Sequence, residues 1–401
     1  MLSVEDARAR VLAPLQPLPA EIVALADAWG RVLATPVIAR LSNPPADVSA
    51  MDGYALRAED GVLGARLRVV GEAPAGHPFP GRVARGEAVR LYTGSFMPEG
   101  TDSVLLQEDA ARDGDIVEVR ETVRAGRHVR PQGQDFAAGS EVLAAGRRLG
   151  ARDVGLAAAA NRPWLAVHRR PRVALLATGD EIALPGEDVP MGGIVSSNTH
   201  ALAALVRASG GEPVLLPVAP DDRSALAAAA IGARGADLLV TTGGASVGDY
   251  DLVQAALGDE GFKLDFWKVA MRPGKPLVSG RLGAVPVLGL PGNPVSALVC
   301  GLLFLVPAIA RLSGLPDGPP VPVTARLGAP VAANDGRTDH LRASLRTERD
   351  GTLVATPFPR QDSAMLRAFA EADGLILRPP NAPALPDGAE VPVLRLDSLG
   401  L

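Results

Sequence analysis

The chain has 401 residues, a formal net charge of −5 and an aromatic content of 3%. This mildly acidic balance and the scarcity of aromatic side chains argue against a nucleic-acid-binding surface, which needs basic patches and stacking platforms. The single cysteine, Cys300, excludes an intrachain disulfide and a cysteine-based zinc site. The length is sufficient for two to four domains.

Neither export nor membrane insertion is predicted. Residues 3–7 form an acidic amphipathic stretch, which is not typical of a signal peptide. The apolar run 302–309 contains Pro307 and is too short to span a bilayer. We therefore expect a protein of the reducing cytoplasm that does not contact a membrane, with Cys300 as a small core residue.

The first region in chain order is predicted to be mainly β. Between residues 62 and 145, short alternating or β-branched runs are separated by Gly and Pro clusters, which is typical of short strands in a small domain. Predicted helices at 21–34 and 151–160 bracket this region. We therefore expect the mainly-β region to be an insertion.

The middle of the chain alternates between predicted strands and helices, which is typical of a doubly wound parallel sheet. The predicted strands lie near 173–177, 193–196, 213–218, 237–241 and 285–289. The predicted helices lie near 198–209, 222–234, 251–258 and 295–312. After a Pro- and Gly-rich linker, a C-terminal β-barrel domain is predicted from short strands near 321–328, 339–346, 351–357, 374–378 and 390–396.

Four loops follow apolar, strand-like runs in the α/β region. They read TGDE at 178–181, TTGG at 241–244, RPGKP at 272–276 and PGNPVS at 291–296. Because loops at the carboxyl ends of parallel strands meet at one crevice, we predict that the four form a single site. None of them fits the dinucleotide fingerprint or the P-loop pattern.

The glycine turn TTGG favours a phosphate ligand. Gly243 and Gly244 let backbone N–H groups approach a ligand at the start of a helix, where the dipole attracts an anion. Asp249 and Asp251 follow at a distance that suits a divalent cation bridging the phosphate. The alternative interpretation is an ordinary strand-to-helix turn.

Two further loops, RPGKP and PGNPVS, favour an oxyanion. Arg272 and Lys275 stand on a stiff loop flanked by prolines, so little entropy is left to lose on binding. Ser296 lies near the start of a predicted helix, where free N–H groups suit an anion. The alternatives are an exposed basic turn and simple helix capping.

Taken together, these motifs resemble the MoeA and gephyrin E-domain family, the molybdopterin molybdenumtransferases. The resemblance covers nearly the whole chain, and the order TGDE, TTGG, PGKP, PGNPVS makes it specific. It extends to PPADVSAMDGYAL at 44–56, VRLYTGSFMPEGTDSVLLQED at 89–109, VRPQGQDFAAG at 129–139 and SSNTHAL at 196–202. It is looser for GRTDHLRA at 336–343 and RQDSAML at 360–366.

The resemblance implies a multidomain α/β plus mainly-β protein in four parts. These are a helical/β linker domain (19–45 and 140–170), a mainly-β domain (46–139), a molybdopterin-binding α/β domain (1–18 and 171–315) and a β-barrel domain (316–401). It also implies a homodimer whose active cleft combines the α/β and C-terminal domains of one subunit with the mainly-β domain of the other.

The implied activity is a step of molybdenum cofactor biosynthesis. Molybdate is inserted into adenylylated molybdopterin, and AMP is released with the help of Mg²⁺. One alternative is the molybdopterin adenylyltransferase, which resembles the α/β domain alone and is also a candidate partner. The other is a non-catalytic, gephyrin-like binding or scaffold paralogue.

The resemblance also assigns site residues. Those assigned to catalysis are Asp52, Thr93, Asp135, Glu181, Asp251 and Lys275. Those assigned to substrate binding are Thr242, Gly243, Gly244, Ser246, Arg272, Lys275, Pro291, Gly292, Asn293, Pro294, Ser296, Arg342 and Ser363. The candidate Mg²⁺ ligands are Asp251, Asp249 and Glu181.

Several of these residues have a structural alternative. Asp52 could cap the turn before Gly53, and Asp135 could be a turn residue. Asp222 is expected to cap a helix, because Asp is favoured at that position. His340 is expected to pack in the interior. Two departures from the family pattern are Gln134, where an acid usually stands, and Arg272, where a lysine is common.

Overall fold

A computed structural model describes residues 1–243, 261–316 and 321–397. The chain divides into two compact units. The first, called the core unit, contains Met1–Glu21, Gly30–Ala34 and Val167–Leu401. The second, called the β unit, contains Ile22–Trp29 and Thr35–Ala166. The finer division into four domains stays a prediction.

Short strands dominate the chain up to residue 168. In order, the elements are α1 (Val4–Leu12), β1 (Ala20–Ala24), β2 (Val37–Ile38), β3 (Val48–Ser49), β4 (Gly53–Leu56), β5 (Arg66–Ala73), β6 (Glu87–Leu91), β7 (Ser103–Leu106), β8 (Ala110–Asp113), β9 (Ile116–Val119), β10 (Val129–Arg130), β11 (Glu141–Leu143), α2 (Ala151–Ala159) and β12 (Trp164–His168). Six strands of the β unit form one sheet in the order β7-β4-β6-β5-β9-β8, and β2 pairs with β11 and β3 with β10. The prediction of a mainly-β region followed by a helix at 151–160 is confirmed.

The predicted helix at 21–34 is wrong. That segment contains strand β1, one 3₁₀ turn at Leu25–Asp27 and a turn at Gly30. Ile22 and Val23 are β-branched and favour extended backbone. Gly30 has a φ of +74°, which no right-handed helix accommodates. The local backbone preferences therefore override the weak helical spacing of the apolar residues.

The middle of the core unit is an α/β sheet. Its elements are β13 (Arg172–Ala177), β14 (Ile182–Ala183), β15 (Ile194–Val195), α3 (Asn198–Ala208), β16 (Glu212–Leu215), α4 (Arg223–Ile231), β17 (Leu238–Thr242), β18 (Phe262–Phe266), β19 (Met271–Arg272), β20 (Val278–Leu282), β21 (Val285–Leu290), α5 (Pro294–Cys300), a π-helical turn Gly301–Leu305 and α6 (Val306–Leu312). The sheet order is β16-β13-β17-β21-β20-β18. Strands β16, β13, β17 and β21 are parallel, and β20 and β18 add an antiparallel edge.

Alternating side chains of this sheet pack against helices on both faces. Leu175 and Val240 join the large core that contains α3 and α5, whereas Leu176 and Leu239 face the opposite core beside α4. The predicted doubly wound sheet is therefore confirmed. The predicted strand at 193–196 differs in one respect, because β15 pairs with β14 outside the main sheet. The predicted helix at 251–258 lies outside the described residues.

Within the part of the chain that the structure describes, one helix reaches membrane-spanning length. The segment Pro294–Leu312 is a 19-residue helix with a mean hydropathy of 2.2, so the expectation that this apolar region is too short is wrong. Pro307 lies in the first turn of α6, next to the π-helical turn, and does not end the helix. Of its apolar window, 83% is buried inside the protein, which is typical of a central core helix. Cys300 lies within it and is fully buried, as predicted.

The C-terminal part of the core unit is a closed barrel. It contains β22 (Val323–Leu327), β23 (Thr338–Thr347), β24 (Leu353–Pro357), α7 (Leu366–Ala370), β25 (Gly374–Arg378) and β26 (Glu390–Arg395). The strand order is β23-β24-β22-β26-β25, and β25 pairs back to β23. Strand β19 from the α/β region pairs with β23, which places Arg272 opposite Asp339. The predicted barrel is confirmed.

Candidate active site

A pocket of about 1020 Å³ lies within the core unit. All four predicted loops contribute to it, together with the loop before α7. The predicted site residues that line it are Glu181, Thr242, Gly243, Arg272, Lys275, Pro291, Gly292, Asn293, Pro294, Ser296 and Ser363. The sequence prediction that separate loops meet in one crevice is therefore correct for these residues.

The parallel register of the sheet brings the loops together. Ala177 lies opposite Thr242, and Thr242 lies opposite Leu290. The residues that follow, Thr178, Gly243 and Pro291, therefore leave the sheet side by side at the same edge. This is the general position of ligand sites in open parallel sheets.

Two glycines are required by the shape of the pocket wall. Gly243 has a φ of +95°, and a β-carbon there would overlap the carbonyl oxygen of Thr178. Gly274 has a φ of +109°, and a β-carbon there would lie 2.5 Å from the sulfur of Cys300. Both positions need a residue without a side chain, because the conformation is strained for any other residue and the space is occupied.

Asn198, from the motif SSNTHAL, connects two of the loops and is not among the predicted site residues. It is the first residue of α3, and its amide nitrogen donates to Thr242 Oγ1 at 2.8 Å and to the carbonyl oxygen of Gly292 at 2.7 Å. Thr242 Oγ1 in turn donates to the carbonyl oxygen of Pro291 at 3.4 Å. Asn198 therefore holds the end of β17 against the PGNPVS loop. The motif SSNTHAL matches the family pattern, but its residue types alone do not indicate this role.

The barrel closes one side of the pocket through Ser363. The side-chain amide of Asn293 donates to Ser363 Oγ at 2.9 Å, and the backbone N–H of Val295 donates to the carbonyl oxygen of Ser363 at 3.1 Å. These bonds join the start of α5 to the loop before α7. Ser296, one residue further along, is buried and lines the pocket.

Arg342 supports this barrel loop from beneath and does not line the pocket. It is 1% exposed, and its guanidinium donates to the carbonyl oxygens of Arg360 and Met365 and to the side chain of Gln361. Burial lowers the pKa of Arg342. The structure thus places Arg342 where it positions the loop that carries Ser363.

Three cations face the pocket, and two of them share one carboxylate. Arg272 Nη2 lies 2.7 Å from Asp335 Oδ2, and Arg337 Nη2 lies 2.7 Å from the same oxygen. These guanidinium groups hold the pKa of Asp335 down to about 2, with the hydrogen bond from Arg337 as the largest cause. Lys275 forms no ion pair with the part of the chain that the structure describes. Arg337 lies in the motif GRTDHLRA and lines the pocket, although it is not among the predicted site residues.

A buried polar layer lies under Arg272. Asp339 is 5% exposed, and its Oδ1 lies 3.8 Å from Arg272 Nε. Burial raises the pKa of Asp339 despite this cation. His340 is also buried, and desolvation lowers its pKa to about 4, so it is neutral at pH 7. The expectation that His340 packs in the interior is confirmed.

The pocket offers few carboxylates to an Mg²⁺ ion. Within residues 1–243, 261–316 and 321–397, no group of three His, Cys, Asp or Glu side chains is arranged to hold a metal ion. The described carboxylates that line the pocket are Glu181 and Asp362. Because Mg²⁺ commonly takes only one or two protein carboxylates and keeps several waters, this set fits a substrate-bridging ion. Asp249 and Asp251, like Gly244 and Ser246, lie outside the described residues.

The other predicted catalytic residues lie in the β unit. Asp52 Oδ1 accepts from the backbone N–H of Thr93 at 2.7 Å and from its hydroxyl at 2.9 Å. These bonds lower the pKa of Asp52, with the backbone bond as the larger cause. Asp135 Oδ2 accepts from the side-chain amide of Asn43 at 3.1 Å. The structure thus joins Asp52 to Thr93 in one pair and holds Asp135 in another.

Asp222 behaves as expected for a helix cap. Its Oδ1 accepts from the backbone N–H of Ala225 at 3.0 Å, at the start of α4. The aspartate therefore satisfies an N–H group that lacks a partner within the helix.

Family models match the chain along most of its length. The MoeA N-terminal region (domain I and II) matches residues 2–161, the probable molybdopterin binding domain matches 174–311, and the MoeA C-terminal region (domain IV) matches 324–396. A molybdopterin molybdenumtransferase from Nostoc sp. is 37% identical over 386 residues, which cover 94% of this chain and 88% of that protein. The chain belongs to the molybdopterin molybdenumtransferase (MoeA) family.

Further similarities agree with this MoeA assignment. The molybdopterin molybdenumtransferase of Haemophilus influenzae is 33% identical over 383 residues, which cover 94% of each chain. A molybdopterin biosynthesis MoeA protein from Pyrococcus horikosii has a similar structure, with a TM-score of 0.86 and 30% identity over 98% of this chain and 99% of that one. The similarity therefore includes the fold of the whole MoeA chain.

Proposed function

We propose that this protein inserts molybdate into adenylylated molybdopterin and releases AMP. The observation that carries the proposal is the pocket of about 1020 Å³, which Arg272, Lys275 and Arg337 line together with Gly243 of the glycine turn. Both substrates are oxyanions, and this pocket combines cations with backbone N–H groups. Its volume lies at the upper end of the range for small-molecule sites. The names of the relatives support the same transferase activity.

Molybdate is assigned to the RPGKP side of the pocket. Arg272 and Lys275 supply charge, and the buried hydroxyl of Ser296 supplies a further donor. A tetrahedral dianion is held best by short, charge-assisted hydrogen bonds from several directions. Ser363 adds a hydroxyl from the barrel side. Arg342 contributes indirectly, because it positions the loop that carries Ser363.

The pterin part of the substrate is assigned to the part of the pocket that the glycine turn lines. Thr242 and Gly243 form its wall together with the turn of Pro291, Gly292, Asn293 and Pro294. Glu181 lines the same space, and a carboxylate accepts two N–H bonds from a pterin edge. Gly244 and Ser246 follow Gly243 in the sequence and belong to the same assignment.

Mg²⁺ is assigned to the phosphate groups of the adenylylated substrate. Asp251 is the first candidate ligand, and Asp249 and Glu181 are the further candidates; Asp249 and Asp251 lie outside the described residues. Bound there, the ion would neutralise charge on the phosphate oxygens. With Asp251 on the metal, Glu181 is left to accept from the pterin edge.

Asp52, Thr93 and Asp135 are assigned to the same active cleft in a homodimer. In this proposal, one subunit supplies its core unit and the other supplies its β unit. The low pKa of Asp52 keeps that residue an acceptor at neutral pH. The enzyme is placed in the cytoplasm, and the molybdopterin adenylyltransferase is proposed as the partner that delivers the substrate.

The deciding experiment is an AMP-release assay. The purified protein is incubated with adenylylated molybdopterin, molybdate and Mg²⁺, without ATP, and AMP is measured by chromatography. We expect AMP release that depends on molybdate and is strongly reduced in Lys275→Ala. An adenylyltransferase would instead consume ATP and release pyrophosphate. A scaffold paralogue would bind the substrates without releasing AMP, and either result would overturn the proposal.

A further inference from the structure

Asp335 accepts hydrogen bonds from two pocket cations, Arg272 and Arg337. Its Oδ2 accepts from Arg272 Nη2 and from Arg337 Nη2, each at 2.7 Å. Arg337 Nε also lies 3.1 Å from Oδ1 and 3.2 Å from Oδ2. Both arginines line the pocket, whereas Asp335 stands behind them and does not. One carboxylate therefore neutralises part of the charge that an oxyanion would use.

The backbone fixes this carboxylate in place. The N–H of Arg337 donates to Asp335 Oδ1 at 3.1 Å, and the carbonyl oxygen of Asp335 accepts from the N–H of Asn381 at 2.8 Å. The turn before β23 thus presents Asp335 at a set position. Because a tethered group competes at a high effective concentration, such a carboxylate opposes a free anion efficiently.

The ion pairs remain accessible enough to exchange partners. The side chains of Arg272 and Asp335 are 45% and 49% exposed, and that of Arg337 is 25% exposed. An exposed pair contributes little net energy and can re-form with another anion. The pKa of about 2 keeps Asp335 ionised at any neutral or mildly acidic pH.

We infer that the Asp335 carboxylate competes with a bound oxyanion for Arg272 and Arg337. When the oxyanion displaces Asp335, Arg337 becomes a further ligand of the oxyanion. The inference rests on the proposed function, because it assumes that an oxyanion binds beside Arg272. Competition by Asp335 lowers the affinity of the pocket for the oxyanion. A lower affinity favours release of an oxyanion that has not reacted.

Isothermal titration with molybdate alone tests the inference on the full chain. Asp335→Asn keeps the size of the side chain and an acceptor for the Arg337 N–H, but it removes the charge. We expect this variant to bind molybdate about fivefold more tightly than the parent, which is the scale of an exposed ion pair. The matched control is Glu348→Gln, which breaks the exposed pair with Arg346 on the barrel and should leave the affinity unchanged.

A double-mutant cycle tests the role of Arg337. In an Arg337→Ala background, Asp335→Asn should tighten molybdate binding by a smaller factor, because one of the two released cations is missing. If Asp335→Asn binds molybdate as well as the parent or more weakly, Asp335 only positions the arginines and the inference is overturned. If the parent protein fails to bind molybdate, the proposed function falls as well, so the two failures are distinguishable.

Discussion

Residues of the same charge have different surroundings in the pocket. Arg272 is held by Asp335 and lies near the buried Asp339, whereas Lys275 has no carboxylate partner within the described ranges. Lys275 stands between Gly274 and Pro276, which limits the conformations of its backbone. Its charge is therefore less compensated than that of Arg272, and its removal should affect anion binding directly.

Lys275→Ala should weaken molybdate binding about tenfold or more, because a charge-assisted hydrogen bond is lost. Isothermal titration measures the change. Lys263→Ala, on the exposed strand β18, is the control that removes a lysine charge elsewhere in the core unit. Unchanged binding by a folded Lys275→Ala protein would remove this residue from the oxyanion site.

Thr93→Val should raise the pKa of Asp52 towards its ordinary value of 3.8. The variant removes the hydrogen bond from the Thr93 hydroxyl but keeps the stronger one from the backbone N–H. The pKa of Asp52 should therefore rise only part of the way to 3.8. The sign follows from the folded-state pKa, which is depressed. The contribution of Asp52 to stability is present above 3.8 and is lost as the pH falls through the lower folded value.

Carbon-13 NMR titration, with Asp52→Asn to assign the signal, measures this pKa. Thr101→Val is a control in the same unit, because the Thr101 hydroxyl donates to the carbonyl oxygen of Pro98 and not to a carboxylate. A pKa of Asp52 that is identical in the parent and in Thr93→Val would show that the hydroxyl bond has no effect.

At the scale of elements, the RPGKP loop depends on a contact beneath it. Gly274 lies against Cys300, which is fully buried in α5, and the burial raises the pKa of the Cys300 thiol. The carbonyl oxygen of Gly274 accepts from this thiol at 3.7 Å. This contact with α5 therefore fixes the position of the loop that carries Arg272 and Lys275.

Gly274→Ala should destabilise the protein by about 2–3 kcal/mol, because a positive φ and an overlap with the Cys300 sulfur add together. Urea unfolding measures the loss. Gly186→Ala is a matched control for the backbone cost alone, since Gly186 has a φ of +93° with no atom within 4 Å of the added carbon. Replacing Cys300 by Ala should recover part of the loss in Gly274→Ala. Equal losses in the two glycine variants would exclude the steric contribution.

Elements with a strong local pattern were predictable from the sequence. The buried strands β13, β17 and β21 are continuous apolar runs, and Gly or Pro marks the turns after them, so the parallel sheet and its loops followed from periodicity and punctuation. The segment 21–34 has a weak pattern, and there β-branched residues and Gly30 decided the outcome. The barrel was predicted from alternation, but its closure through β23 and β25 is a long-range pairing that no local pattern encodes.

The site was predictable only where a motif marks it. Arg272, Lys275 and Ser296 belong to recognisable loops. Asn198 and Arg337 lie in the motifs SSNTHAL and GRTDHLRA, but they reach the pocket through tertiary packing, which the motifs alone do not show. Arg342 matches the family pattern, but it is buried and does not line the pocket. It supports the barrel loop that lies between it and the pocket.

At the scale of the whole molecule, the predicted catalytic residues are divided between the two units. Asp52 and Thr93 belong to the β unit, whereas Lys275 and Ser296 belong to the core unit. The proposed homodimer joins a β unit and a core unit from different subunits in each cleft. This arrangement makes a prediction about mixtures of inactive variants that a self-contained subunit would not make.

Asp52→Asn and Lys275→Ala should each be inactive in AMP release, and their heterodimer should regain activity. In the heterodimer, one cleft carries both substitutions and the other carries neither, because the two units of a cleft come from different chains. Random reassembly of a symmetric dimer makes half of the dimers mixed, so about a quarter of all clefts should be intact. The rate should therefore approach a quarter of the parent rate in the unseparated mixture and half of the parent rate in purified heterodimer.

The experiment dissociates and reassembles the two variants with different affinity tags, so that the heterodimer can be purified and counted before the assay. Each variant reassembled with itself is the control and should stay inactive. If each cleft were built from a single chain, every subunit of the heterodimer would carry one damaging substitution in its own cleft. A purified heterodimer with no AMP release would therefore disprove the shared cleft while leaving the assignment of Lys275 to the oxyanion site intact.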